Sequence, residues 1–271
     1  MRQARSLQRQ LDAEAAWFTR EQAKLAAESA QAVHELFQGV SALALVEDPG
    51  TWMSRFVAAV LPFRRRSREL AREYYRRVRA LQGITGGFDL PEPPVWQEEN
   101  ALKASFAVHG PGRIDREIKK RPNADLNDPE FVKELDRIMQ QSVNALAQDT
   151  ARLTQNGGRE AVHQATDSDE KAIGFYRQIK SANPCAFCIM LASRGVVYKS
   201  RRSARHGSYV GADGNAAYHR NCHCQPVPVF TRVIDGDEWT RKAEEAWKNG
   251  EIVLLESKNG KKYPAFQKGQ S

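Results

Sequence analysis

Apolar residues recur at three- and four-residue steps through the first part of the chain. Leu7, Leu11, Ala15, Phe18, Ala26, Ala30, Val33 and Phe37 fall on one stripe of a helix over 3–39. The stretch EDPGT breaks it, with Asp48 and Pro49 supplying turn chemistry. Thr51 is a suitable N-cap for a second helical region carrying Phe56, Val60 and Phe63. Pro62 is expected to kink or split that region, because proline lacks the amide hydrogen and clashes with the preceding turn. The stripe resumes with Leu70, Tyr74, Val78 and Leu81, and arginines fill the opposite face. This pattern predicts a helical hairpin over 1–82, apolar inside and cationic outside.

Residues 83–100, GITGGFDLPEPPVWQEEN, are rich in Gly and Pro and read as a linker. A helical segment follows over 101–156. Its best-defined part has Asp128 as cap, Pro129 in the first turn and a stripe of Leu135, Ile138, Leu146 and Leu153, with Gly157 as its stop. The texture then changes. AIGFYRQIK (172–180) and RGVVYKS carry the aromatic and branched residues of short strands. The expected class is therefore mainly α with a small α+β C-terminal module over 157–232. A helix and a polar, basic, disordered tail are expected over 233–271. No internal repeat is visible.

Composition narrows the class. The 271 residues are 41% hydrophobic and 27% charged, as in globular proteins, and no apolar run approaches the ~20 residues of a membrane span. The N-terminal MRQARSLQRQLDAEAAW is charged and lacks an apolar h-region, so a reducing cytosol is the expected compartment. The net charge of +8 is concentrated in runs: Arg64, Arg65, Arg66, Arg68, Arg72, Arg76, Arg77 and Arg79; Lys119, Lys120 and Arg121; Lys199, Arg201, Arg202 and Arg205. A polyanion is the partner such runs point to. Arg64, Arg65, Arg68, Arg72, Arg76 and Arg79 are the candidate contacts for non-specific double-stranded DNA. The competing reading pairs them with acidic residues of a partner, or with Glu69 and Glu73 on their own helix.

All four cysteines lie in two short clusters, NPCAFC and HRNCHC. Cys185 and Cys188 are spaced C-x-x-C on a turn opened by Asn183 and Pro184, and the second cluster offers His219, Cys222, His223 and Cys224. Zinc takes four nitrogen or sulfur ligands, commonly as two short pairs across a loop. The expected set is Cys185 and Cys188 with two of His219, Cys222 and Cys224. Such a site would hold the apolar-poor loop of 200–217 in place. Disulfides are the alternative staple, and a Cys185–Cys188 redox pair is a third reading.

These same residues carry a resemblance. NGGREAVHQATDSDEKAIGFYRQIKSANPCAFCIMLASRGVVYKS, followed by YHRNCHCQPVPVF, resembles the C-terminal domain of MuF-like head-morphogenesis proteins of tailed phages, most closely those of actinobacteria. The shared features fall on Tyr176, Cys185, Cys188, Arg194, Gly195, Tyr198, His219, Cys222 and Cys224. The resemblance is strong over 157–230 and weaker over the preceding helices. It implies a minor capsid protein present in several copies inside the virion near the portal vertex, assembled in the bacterial host cytoplasm. The implied partners are the portal protein and packaged DNA, with scaffold and major capsid proteins as further contacts.

Genes in the same position are also often labelled capsid maturation proteases, which makes protease the rival reading. Ser193, His206, His219 and His163 are available, and Cys185 with His219 is a conceivable pair. No G-x-S-x-G elbow, H-E-x-x-H helix or phosphate-binding glycine loop is present. A nuclease reading of His219, Asn221 and His223 lacks the rest of such a site. A non-enzymatic role is the expectation.

Overall fold

A computed structural model describes residues 2–90, 92–93, 95–121, 123, 125–126, 128–179, 186–193, 224–231, 238–256 and 262–266. Three long helices pack pairwise: α1 (Arg2–Leu36), α3 (Pro49–Leu81) and α6 (Pro129–Ser168). The short α2 (Ala42–Glu47) joins the first two, and α4 (Val95–His109) and α5 (Pro111–Lys120) precede the third.

Local chemistry accounts for the helix starts. Ser41 caps α2 through its hydroxyl, which accepts from the Ala44 amide at 3.2 Å. Asp48, and not Thr51, caps α3: its carboxylate accepts from the Thr51 amide at 3.1 Å, and Pro49 takes the first turn. Asp128 and Pro129 open α6 as the sequence predicts, the Asp128 carboxylate accepting from the Glu130 amide at 3.1 Å.

Two expected helix breaks do not occur. Pro62 lies inside an uninterrupted α3 with its ring exposed, while Phe56, Val60 and Arg64 on the inner side are buried. Packing of that inner face holds the helix through one missing hydrogen bond. Gly157 does not stop α6, which continues for another eleven residues to Ser168. The glycines serve a close crossing instead. A Cβ on Gly157 would sit 2.9 Å from Cγ of Arg64 and 3.0 Å from its carbonyl oxygen. One on Gly158 would sit 2.9 Å from the Ser67 carbonyl oxygen. With no Cβ at either position, α6 lies directly on α3, and a hydrogen-bonded knot closes the contact. Gln22 donates to the Ser67 carbonyl at 2.9 Å, and the Ser67 hydroxyl lies 2.6 Å from Gln22 Oε1 and 2.8 Å from the Gly158 amide.

One apolar cluster gathers Val33, Phe37, Leu45, Phe56, Val60, Leu102, Phe106, Ile114, Leu135 and Leu146 at the α2–α4–α5 end of the bundle. A second, at the opposite end, joins Leu11, Phe18, Tyr74, Tyr75, Val78, Val162 and Ala165 to Tyr176, Val227 and Val229 of a small sheet. Phe18 and Tyr74 stack there at 4.5 Å. The sheet is β1 (Gly174–Gln178) paired antiparallel with β2 (Gln225–Val229), Gly174 opposite Val229 and Gln178 opposite Gln225. Every residue of both strands is buried.

A third cluster combines α7 (Ala186–Ala192), α8 (Glu238–Lys248) and β3 (Ile252–Glu256). Part of the stretch expected to be a disordered tail is ordered as β4 (Lys262–Phe266), antiparallel to β3 with Ile252 opposite Phe266. The apolar run of β3 has backbone groups that need partners, and residues 262–266 supply them. α4 likewise begins at Val95, within the stretch read as a linker. The architecture is mainly helical with two small two-stranded sheets. The RGVVYKS stretch lies outside the described residues.

Candidate functional site

The arginine row of α3 is where the structure departs most from the sequence reading. Arg64, Arg68 and Arg79 do not face solvent; their side chains are 3%, 3% and 9% exposed. Arg64 donates to Glu160 at 2.7 Å and to the Leu153 carbonyl at 2.6 Å, both on α6. Glu98 of α4, also buried, has Oε1 3.5 Å from Arg68 Nε and 4.0 Å from Arg64 Nε, while its Oε2 is 3.9 Å from Arg65 Nε. Arg68 further donates to Gln164 at 2.8 Å. Arg79 donates to Asp169 at 2.8 Å, and the Tyr75 hydroxyl donates to the same carboxylate oxygen at 3.2 Å. These arginines are internal because carboxylates distant in sequence meet them, and a buried charge survives only when paired.

The remaining arginines divide differently. Arg65 is 52% exposed with only the long Glu98 contact, and Arg76 is exposed with no ion pair. Arg77 pairs with Glu73 of its own helix at 2.5 Å and with Glu14 at 3.4 Å, and lies over the Trp17 ring. Arg72 is 23% exposed, ion-paired to Glu92 and donating to the Leu90 carbonyl at 3.0 Å. The six candidate contacts thus resolve into two at the surface, one partly covered, and three inside.

Burial sets the electrostatics of the interior set. It raises the Glu98 carboxyl above the usual carboxylate range, outweighing the opposing pull of Arg64, Arg68 and Arg65. It also lowers Arg68, against the opposing charge of Glu98 and Glu160. Burial, then the charge of Asp169, pushes the Tyr75 hydroxyl well above its ordinary value, so Tyr75 stays a donor. A carboxyl whose folded pKa is raised binds its proton more tightly when folded. Its contribution is fully present below the unfolded value near 4.5 and is lost as pH rises through the folded one. Thermal melts of the wild type and Glu98→Gln across pH 4 to 8 are therefore expected to diverge: the wild type gains on the variant as pH falls. A difference independent of pH would contradict that.

From Gly83 to Leu90, and again at Glu92 and Pro93, the chain crosses this arginine face with no helix or strand of its own. Arg79 Nη1 donates to the Gly86 carbonyl at 2.7 Å and weakly to that of Thr85 at 3.4 Å. Arg72 holds Leu90 and Glu92 as above. Phe88 packs on the Tyr75 ring at 5.4 Å. A pocket of about 250 Å³ is lined by Glu92 and Pro93 together with Arg65, Arg68, Arg72 and Glu98.

The cysteine constellation is described only in part. Cys188 on α7 and Cys224 just before β2 are both buried in the third apolar cluster. Cys185, His219 and Cys222 lie outside the described residues, as do Arg194, Gly195, Tyr198 and the loop of 200–217. Among the described residues no group of three metal-binding side chains occurs. Tyr176 is fully buried on β1 and accepts from Gln8 at 3.1 Å, while Gln178 donates to Asp12 at 2.7 Å, tying the sheet to α1. His163 is buried on α6 with its ring edge-on to Phe175 at 4.5 Å. The Ser193 hydroxyl donates to the Met190 carbonyl at 2.8 Å.

The fold and these contacts define a mainly helical protein whose central bundle is tied by buried arginine–carboxylate pairs, with a small antiparallel sheet across one end. The profile of the VG15 protein family matches residues 9–249, from α1 to the end of α8, and the chain belongs to that family, a phage protein family. No curated protein and no solved structure matches it. Among the described residues no helix is long and apolar enough to cross a membrane.

Proposed function

We propose that this protein is a minor capsid, head-morphogenesis component of a tailed phage. In this reading it binds the portal protein during procapsid assembly in the host cytoplasm, touches scaffold and major capsid proteins, and stays in several copies inside the virion at the portal vertex. The observation that carries the reading is the family match across nearly the whole bundle, joined to the MuF-like residues at Tyr176, Cys188 and Cys224. The test is co-elution of the purified chain with the portal protein of the same phage in size-exclusion chromatography. Separate elution at tens of micromolar would sink it.

Contact with packaged duplex DNA is the second part of the proposal. It rests on the exposed Arg65 and Arg76, since Arg64, Arg68 and Arg79 are committed to internal pairs. Replacing Arg65 and Arg76 together with alanine is expected to weaken duplex binding whatever the sequence and to flatten the log–log salt dependence by about 2, close to one per lost phosphate contact. An unchanged slope would assign DNA contact elsewhere or remove it.

The cysteines complete the proposal. Cys185 and Cys188 with two of His219, Cys222 and Cys224 would hold a structural zinc, and the burial of Cys188 and Cys224 in one cluster supports that grouping. Elemental analysis of reduced protein is expected to find about one zinc per chain; freely reactive thiols without metal would overturn it.

A further inference from the structure

We infer that residues 83–90 with 92–93 form a releasable strap, and that the α3 face beneath it is a masked second surface for duplex DNA. The inference rests on the DNA contact proposed above.

Arg65, Arg72, Arg76 and Arg79 lie seven, four and three residues apart, one stripe along a straight helix about 21 Å in extent. With the strap in place the stripe is interrupted. Arg72 is committed to Leu90 and Glu92, and the Nη1 of Arg79 to Gly86 and Thr85. Only Arg65 and Arg76 then present charge to solvent. The strap thus acts as an internal acidic ligand, offering one carboxylate and three carbonyl oxygens where a phosphate chain would offer its own.

Its hold is weak for its length. The backbone bonds from the strap to α3 are at its root, Gly83 to Ala80 and Ile84 to Arg79. Beyond them it depends on arginine side chains, on the Phe88–Tyr75 contact and on apolar packing of Ile84 and Leu90. Glu92 is 68% exposed, so its pair with Arg72 is screened by salt and open to exchange for another anion. Glu92 and Pro93 border a pocket of about 250 Å³, so this end makes less than full contact with α3. Segments with few buried contacts and side-chain-only attachment belong to the least stable part of a fold. Lifting it frees Arg72, which joins the exposed Arg65 and Arg76 in one row of like charge, while Arg79 stays on Asp169.

The experiment uses the full chain, a random-sequence DNA duplex and polyglutamate as an acidic-protein probe. The releasing variant is Phe88→Ala/Leu90→Ala/Glu92→Gln, checked by circular dichroism. Glu92→Gln alone, a change at an exposed position, gives a smaller effect of the same sign should the triple variant unfold. Faster proteolysis within 83–93 and a salt dependence of duplex binding steeper by about 1 are expected, and that gain is lost when Arg72→Ala is added. Three results overturn the inference: no faster cleavage, faster cleavage with an unchanged slope, or a gain for polyglutamate and none for DNA. If the wild type binds DNA through Arg65 and Arg76 but release adds nothing, only the strap falls. If no variant binds DNA, the proposed DNA contact falls with it.

Discussion

Alanine at position 158 is expected to lower the stability of the chain by about 2 kcal/mol, although the same change in an exposed helix would raise it by about 1. The added Cβ would meet Gln22 Nε2 at 2.4 Å, the Ser67 hydroxyl at 2.8 Å and the Ser67 carbonyl oxygen at 2.9 Å. The glutamine tip can swing away, but it is 1% exposed and leaves its bond to the Ser67 carbonyl behind. The carbonyl itself is backbone, so relief requires α3 to back away from α6 along a contact that Gly157 makes equally tight. Overpacking of this kind costs about 1 to 3 kcal/mol, and each broken buried hydrogen bond about 1 more. The sum exceeds the gain in helix propensity. The check is a urea melt, where a lower midpoint at unchanged slope is expected. A midpoint at or above that of the wild type would show that the crossing has room to spare.

Removal of Arg64 is expected to cost more, about 3 to 5 kcal/mol, because it takes a buried cation away from the buried carboxylates of Glu160 and Glu98. Arg64→Met keeps much of the packing volume, yet it removes the 2.7 Å partner of Glu160, weakens the support of Glu98 and deprives the Leu153 carbonyl of a donor. The double variant Arg64→Met/Glu160→Gln should recover a large part of the loss, since the carboxylate that faced Arg64 is then neutral. Equal losses for the single and double variants would mean that packing, and not charge, is what Arg64 supplies. DNA affinity of the folded single variant should match that of the wild type, which separates Arg64 from the surface arginines.

How much of this was legible in the sequence depends on whether the cause was local. The capping pair Asp128–Pro129, the apolar stripes of the long helices, the strand containing Tyr176 and the mainly helical class all follow from residues close together in the chain. The arginine face was misread for the opposite reason. Arg64, Arg68 and Arg79 have the helical spacing of a solvated stripe, and nothing in that spacing shows that Glu98, Glu160 and Asp169 close on them from residues up to 96 positions away. Gly157 and Gly158 are ambiguous in the same way: a glycine pair ends a helix or lets another backbone touch it, and only the partner decides. The start of α4 was hidden by the prolines that precede it. Of the candidate metal ligands, the sequence clusters are plain; Cys188 and Cys224 are buried in the third apolar cluster, and Cys185, His219 and Cys222 lie outside the described residues.

The length of α6 has a mechanical consequence. Its forty residues form a rod of about 60 Å that touches the apolar cluster at one end of the bundle and the sheet at the other. A glycine pair in such a rod would ordinarily be its hinge, yet here it is held against α3 by Ser67, Gln22 and Arg64. A load applied near Asp128 is therefore expected to reach the small sheet of β1 and β2 with little lost to bending. Resistance to bending is thus expected along the axis of α6, which joins the two apolar clusters.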